Sequence, residues 1–170
     1  MKRILFSVIL LSASTLEFIA CNKDASTSHV NIRMTDAPGE WDEVNIDLKE
    51  VQLKLNSDST HWVTLQTNAG IYNLLGLQNG VDSLIADGTL NTGETVKEIR
   101  LIVGTENSIS VNGQTYQLTI PSGAETGLKI KINKRLAASI ENVLIDFDAA
   151  LSIRQETDGY KLQPVITVKE

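Results

Sequence analysis

The chain has little of what most catalytic and metal sites are built from. Its 170 residues include one cysteine, two histidines and 5% aromatic residues. One cysteine cannot form a disulfide within the chain, so the domain has to be held by its core, for which 42% hydrophobic residues are sufficient. His29 and His61 lie in polar stretches where we expect them to be solvated. Zinc ligation and a nucleophilic triad therefore have few groups to draw on.

Basic residues are also in the minority. The chain has 15 lysines and arginines against 21 aspartates and glutamates, a net charge of −6. The first 20 residues hold two of the basic residues and one acidic residue, which leaves 13 basic and 20 acidic residues after them, a net charge of −7. An acidic surface disfavours nucleic acid as a partner, because phosphate binding needs clustered Lys and Arg. It also disfavours direct binding of the protein surface to anionic lipid headgroups.

The amino terminus has the layout of an export signal. Met1-Lys2-Arg3 is a short basic start, residues 4–11 are apolar, and Phe18-Ile-Ala20 precedes the single cysteine, Cys21. This cleavage region resembles a bacterial lipobox, which implies cleavage before Cys21 and lipidation of that residue. The alternative is an ordinary signal peptide with an incidental cysteine nearby. The apolar segment is too short for a membrane span, which needs about twenty residues.

This layout predicts three regions. Residues 1–20 are the lipoprotein signal peptide, residues 21–28 are a flexible tether, and residues 29–170 are one folded domain. The Lys23-Asp24 pair resembles the charged start of surface-exported lipoproteins in Bacteroidetes. We expect an outer membrane lipoprotein, anchored through Cys21 on the periplasmic or cell-surface side.

The domain is dominated by a two-residue hydrophobic period, which predicts β-strands. The period changes face near Lys49-Glu50, and this indicates a β-bulge. Asn112-Gly113 predicts a type I′ hairpin in which both residues have positive φ, Val111 faces Gln114 and Ile109 faces Tyr116. Further strands are predicted at residues 30–35, 44–55, 62–65, 95–103, 128–132, 139–147 and 160–168.

Two segments break this pattern. Residues 73–87 have helical spacings and predict a short helical crossover. Pro164, inside the last predicted strand, indicates an edge position or a bulge. Many short strands with frequent turns predict an all-β fold, a β-sandwich of immunoglobulin- or transthyretin-like architecture.

An ordered set of short motifs resembles the domain of unknown function DUF4382, which is common in Bacteroidetes lipoproteins. The resemblance extends from about His29 to Val168 and implies a fold and a location but no activity. The motifs are Met34-Thr-Asp-Ala-Pro38, Val44-Asn45 with Lys49-Glu-Val51, Trp62-Val-Thr-Leu65, Leu74-Leu75 with Leu77-Gln-Asn-Gly80, Ile99-Arg-Leu101, Val111-Asn-Gly-Gln-Thr-Tyr116, Pro121-Ser-Gly123, Gly127-Leu-Lys129, Asp146-Phe-Asp-Ala-Ala150 and Leu162-Gln-Pro-Val165.

Carboxylates are the only plentiful reactive groups. Asp146 and Asp148 lie two apart on a predicted strand, so we expect them to share a face about 6.5–7 Å apart, between the separations of retaining and inverting glycosidase pairs. Asp36 is the obvious third carboxylate for a calcium site, although it can equally cap a turn. Solvated or structural roles are the alternative for all three.

The remaining candidates concern glycans. Trp41 is a possible carbohydrate platform, with a lid over one end of the sandwich as the alternative, whereas Trp62 is expected in the core. Ser59 and Ser83 each follow an aspartate and are possible O-glycosylation sites.

Three functional classes follow from these residues. The preferred one is a non-catalytic, membrane-anchored sandwich without a resident cofactor that binds or scaffolds an envelope protein or glycan. The second is a calcium- or carbohydrate-binding module that uses the acidic set. The third is a carboxylate-based hydrolase. Whether Asp36, Asp146 and Asp148 converge in space bears directly on this choice.

Overall fold

Two mixed β-sheets pack on each other. A computed structural model describes residues 26–58, 60–120 and 127–169. In this part of the chain the strands are β1 (Thr27–Thr35), β2 (Glu43–Leu55), β3 (Val63–Thr64), β4 (Gln66–Thr67), β5 (Gly70–Asn73), β6 (Ser83–Asn91), β7 (Thr95–Val103), β8 (Ser108–Val111), β9 (Gln114–Thr119), β10 (Leu128–Arg135), β11 (Ile140–Phe147), β12 (Ile153–Glu156), β13 (Gly159–Leu162) and β14 (Ile166–Lys169). The helical segments are a 3-10 turn, Leu74–Leu77, and α1 (Ala149–Ser152).

The smaller sheet has the order β14-β11-β1-β6-β4, and the larger has the order β10-β7-β2-β8-β9-β13-β12, with β3 and β5 also paired to β2. β1 lies in the middle of the smaller sheet, antiparallel to β6 and parallel to β11. The predicted all-β sandwich is confirmed.

Alternating apolar residues of both sheets form one continuous core. On β1, Val30, Ile32 and Met34 are buried and alternate with half-buried polar residues. β2 buries Val44, Ile46 and Leu48, then Val51, Leu53 and Leu55 on the shifted period. The change of face coincides with a register shift between Leu48 and Glu50 in the pairing with β7, so the predicted bulge is confirmed.

The predicted hairpin is confirmed as well. Asn112 has φ 52° and Gly113 has φ 75°, as a type I′ turn requires. Val111 pairs with Gln114 and Ile109 with Tyr116. Asp42 Oδ2 accepts a hydrogen bond from the Gly113 N–H at 2.8 Å, which ties the turn to the segment before β2.

Three predicted segments have other boundaries in the structure, because strand pairing across the sheet overrides the local hydrophobic pattern. Thr27 and Ser28, expected in the tether, open β1, and Ser28 pairs with Leu90 and is fully buried. The expected crossover at residues 73–87 is helical only at Leu74–Leu77, because β6 begins at Ser83 and pairs with β1.

Pro164 does not sit in a continuous strand. The expected strand over residues 160–168 is two strands, β13 and β14, and they belong to different sheets. Proline cannot donate to a ladder, so the break falls where the chain crosses from one sheet to the other.

Candidate functional site

Parallel pairing brings the candidate carboxylates together. β1 and β11 run side by side with Thr35 opposite Asp146, so the residues that follow each strand meet at one end of the sheet. Asp36 is 3% exposed, and burial raises its pKa above the usual value for an aspartate. The negative charges of Asp148 and Asp146 contribute to the same shift. The three aspartates therefore interact electrostatically.

Each of these carboxylates has a structural partner. Asp36 Oδ1 accepts a hydrogen bond from the backbone N–H of Ala149 at 2.8 Å, and Asp36 Oδ2 accepts one from Gln78 Nε2 at 3.1 Å. The strand ends at Phe147, so Asp148 lies outside it and does not share the Asp146 strand face as expected. Asp148 instead caps α1, accepting from the Leu151 N–H at 2.9 Å.

The third carboxylate is ion-paired. Asp146 Oδ2 lies 3.0 Å from Lys169 Nζ, while Asp146 Oδ1 is buried without a hydrogen-bond partner among the described residues. Over residues 26–58, 60–120 and 127–169, no group of three or more His, Cys, Asp or Glu side chains is arranged to hold a metal ion. The geometry is that of caps and an ion pair which join the ends of β1 and β11.

A cavity of about 360 Å³ lies beside this acidic end. Its charged lining residues, Asp36, Asp82 and Lys169, are already engaged, because Asp82 pairs with Arg33 and Lys169 pairs with Asp146. The cavity therefore has the size of a small-molecule pocket but few polar groups free to orient a ligand.

A larger concave surface lies on the open side of the sandwich. This groove, of about 700 Å³, runs between β10 and β14, and we call it the lysine groove. Apolar side chains of both strands line it, including Ile130, Ile132, Ile166 and Val168. It also collects four of the 15 basic residues of an acidic chain: Lys129, Lys131, Lys134 and Lys169.

Two of these lysines are neutralised and two are not. Lys134 Nζ lies 3.1 Å from Glu141, and Lys169 pairs with Asp146. Lys129 and Lys131 are exposed and form no ion pair within the described part of the chain.

The cross-strand neighbours of Lys129 and Lys131 carry one charge of each sign. Arg100 lies opposite Lys129, and Glu98 lies opposite Lys131. Arg100 donates to the neutral oxygen of Gln52 and lies over the Trp62 ring, 4.0 Å from its centroid. The positive charge on the outer face of β10 is therefore concentrated at Lys129 and Arg100, whereas Glu98 offsets part of the charge of Lys131.

The lysine groove was not anticipated from the sequence, although a signal was present. Four basic residues fall within the seven residues from Lys129 to Arg135, and they alternate with apolar residues at the start of that run. A count of total charge hides such a run, because acidic residues elsewhere outweigh it.

The two tryptophans have different surroundings. Trp41 is half-buried and makes an edge-to-face contact with Tyr160, at 6.2 Å between ring centroids. Its ring therefore packs against the core. Trp62, expected in the core, is half-buried on the outer face of the larger sheet, where it stacks with Arg100. That expectation was wrong because the strand over β3 is only two residues long and pairs at the surface.

The other predicted residues are dispersed. His29 Nε2 lies 3.5 Å from Asp87, and His61 Nδ1 lies 2.6 Å from Asp58 in an exposed turn. Hydrogen bonds from Thr60 and His61 lower the pKa of Asp58. Ser83 is half-buried at the start of β6. Cys21 and Ser59 lie outside the described residues.

Two buried acidic residues were missed at the sequence level. Asp47, 1% exposed, contacts Lys49 Nζ at 2.7 Å, and its Oδ2 accepts from the Glu106 N–H at 3.3 Å. Glu141, 7% exposed, accepts from the N–H groups of Ala137 and Ala138 at 2.8 and 3.0 Å. Both hold loops in place.

Comparison with known proteins identifies one family. In the described part of the chain, no helix combines the length and apolarity needed to cross a bilayer. Neither a curated protein nor a solved structure matches the chain. The model of the domain of unknown function DUF4382 matches residues 27–164, a span that begins with β1 and includes Lys129 and Lys131. The chain therefore belongs to the DUF4382 family.

Proposed function

We propose that the protein is an exported lipoprotein of the Bacteroidetes type, whose β-sandwich is a non-catalytic binding or scaffolding domain of the cell envelope. The observation that carries the binding role is the lysine groove. A concave surface with the opposite charge to the rest of the protein favours an anionic partner, because it concentrates that partner and orients it. The exposed Lys129 and Lys131 leave this charge available.

The acidic end supports the non-catalytic part of the proposal. A carboxylate pair acting as acid and base needs two groups that face a substrate with different pKa values. Asp36 and Asp148 instead accept backbone hydrogen bonds, and Asp146 holds Lys169. These contacts join β1, β11 and α1.

Binding to soluble polyanions tests the role of the groove. We expect the full-length protein to bind poly-L-glutamate and dextran sulfate with an affinity that falls as salt is raised. The double substitution Lys129→Glu and Lys131→Glu should weaken both interactions at least about tenfold. Arg154→Glu is the control for each of the two single Lys→Glu substitutions, because it makes the same change in charge and Arg154 is exposed on β12 at the opposite end of the same sheet. Absence of binding, or equal loss in the control, would contradict the proposal.

The anchoring part rests on the leader and on Cys21. A bacterium that expresses the protein should incorporate labelled palmitate into it, and Cys21→Ala should abolish the label because no thiol remains to be modified. Two or three acyl chains suffice for stable membrane attachment. An unlabelled wild-type protein that stays in the aqueous phase would refute the anchor and leave the groove hypothesis standing.

A further inference from the structure

The lysine groove is bordered by two strands that each lack a partner on one side. Among residues 26–58, 60–120 and 127–169, β10 pairs only with β7, and β14 pairs only with β11, so both are terminal strands of their sheets in this part of the chain. Alternate residues of such a strand direct their N–H and C=O groups away from the sheet. The pairing of β10 with β7 is regular from Leu128 to Lys131 and shifts register before Lys134. Every second residue of the regular stretch therefore presents a backbone donor and acceptor along one wall of the groove, without a partner strand among the described residues.

We propose that β10 pairs with an extended polypeptide segment of a partner protein in which acidic and apolar residues alternate. This inference rests on the proposed function and names the class of partner. The added segment extends the larger sheet by one strand along the outer edge of β10, on the side of the lysine groove.

Side-chain directions on β10 define the alternation. Leu128 and Ile130 are 8% and 5% exposed and face the core, whereas Lys129 and Lys131 are exposed on the opposite face. Neighbouring strands of a sheet share these two faces, so side chains of an added strand alternate in the same way. One set lies beside Lys129 and Lys131, about 6.5–7 Å apart, where carboxylates are favoured.

The other set of partner side chains points into the sandwich. There it meets Ile130 and Ile132 on β10 and, across the groove, Ile166 and Val168 on β14, all of which line the cavity. Ile132, Ile166 and Val168 are only half-buried, so a further strand can cover apolar surface that is now partly exposed. Valine or isoleucine suits these positions, since β-branched side chains pack well on a pleated surface.

Charge argues against a second copy of this chain as the occupant. Pairing of two β10 strands would place lysines from both copies on one face, and like charges across a strand pair are destabilising. Lysine on an edge strand is one of the ways in which proteins prevent such self-association. The unpaired backbone groups favour a polypeptide over an acidic polysaccharide, because only a polypeptide strand completes the ladder.

The experiment uses the full-length protein and peptides of eight residues, the length of β10. We expect a peptide of alternating glutamate and valine to bind at least about tenfold more tightly than one with four glutamates followed by four valines. N-methylation of one alternate set of its amides should abolish binding, and N-methylation of the other set should not. Alternate amides of β10 should gain protection from hydrogen exchange on binding.

A charge swap adds an independent check. The double variant Lys129→Glu with Lys131→Glu should no longer bind the alternating glutamate–valine peptide and should bind an alternating lysine–valine peptide instead. Arg154→Glu should bind the glutamate–valine peptide as the wild type does. Equal binding of the alternating and block peptides, or no protection in β10, would overturn the strand-addition proposal. If dextran sulfate still binds in a lysine-dependent manner, the proposed function survives that result. If neither peptide nor polyanion binds, both fail.

Discussion

Gly104 is the position where adding one methyl group should do the most damage. It follows β7, and its N–H donates to the backbone oxygen of Asp47 at 2.7 Å. An added Cβ would overlap Asp47 Oδ2 and Lys49 Cε and lie 2.8 Å from Asp47 Cγ, closer than Cβ atoms approach other heavy atoms. The Asp47 side chain is 2% exposed, so it has little room to move aside.

The expected cost of Gly104→Ala comes from two sources. Overpacking a closely packed site costs about 1–3 kcal/mol. Displacing the Asp47 carboxylate also weakens the hydrogen bond that it accepts from Glu106, worth about 1 kcal/mol. We therefore expect the free energy of unfolding to fall by about 2–4 kcal/mol.

Urea unfolding followed by circular dichroism measures this change. Gly70→Ala is the control, since nothing lies within 4 Å of a Cβ at Gly70, and it should change the free energy of unfolding by less than about 0.5 kcal/mol. In an Asp47→Ala background, Gly104→Ala should cost less than about 1 kcal/mol because the obstructing carboxylate is gone. A Gly104→Ala variant as stable as the wild type, or an equal cost in both backgrounds, would refute the reasoning.

Two further predictions concern the hairpin and a buried glutamate. Gly113→Val should lower the free energy of unfolding by more than about 1 kcal/mol relative to Gly70→Val, because Gly113 has φ 75° and a β-branched residue is strained there. Chemical denaturation of these two variants checks this prediction. The backbone N–H groups that donate to Glu141 hold the pKa of its carboxyl below the usual value. The carboxylate therefore stabilises the folded protein at pH values above its pKa in the unfolded chain, about 4.5, and this stabilisation is lost as pH falls through its pKa in the folded protein. Thermal unfolding from pH 7 to pH 3 should therefore show a flatter acid limb for Glu141→Gln, at about 1 kcal/mol lower stability at pH 7. The exposed Glu40→Gln is the control for stability at pH 7 and should differ from the wild type by less than about 0.5 kcal/mol. Identical curves for Glu141→Gln and the wild type would count against the role of that carboxylate.

Features that depend on a few adjacent residues were predictable from the sequence. Asn112-Gly113 determines a turn because only a few residue types accept positive φ, and the turn in turn determines the register of β8 and β9. The bulge near Lys49-Glu50 was readable because a strand with one buried face cannot change its period without an extra residue. In both cases the physical cause lies within the segment itself.

Features that depend on a distant partner were not predictable. Leu84 and Ile85 fit a helical spacing, but residues from Ser83 onward pair with β1 and become a strand. A capping role for Asp36 was expected within its own turn. The backbone N–H that donates to its carboxylate instead belongs to Ala149, 113 residues further along the chain. Which segments meet is decided by the whole sheet, and no local pattern encodes it.

The lysine groove depends both on a local sequence pattern and on strands that are distant in the sequence. The alternation of Lys129 and Lys131 with apolar neighbours is visible in the sequence and is typical of a half-buried strand. The order of strands in each sheet is needed to see that β10 is a terminal strand and that β14 lies across from it. A charged strand in the middle of the sheet would have no unpaired backbone N–H and C=O groups with which to bind a further strand.

The central place of β1 has a consequence for the time at which the molecule can form. β1 is made before the other strands of the described residues, but one of its two neighbours, β11, is offset from it by 111 residues. Pairings this distant in sequence require the closure of long loops, and they slow folding. We therefore expect the hairpin of β8 and β9 to form while the side of β1 that pairs with β11 is still open. The smaller sheet closes only after the segment up to Lys169, the last residue of β14, has emerged.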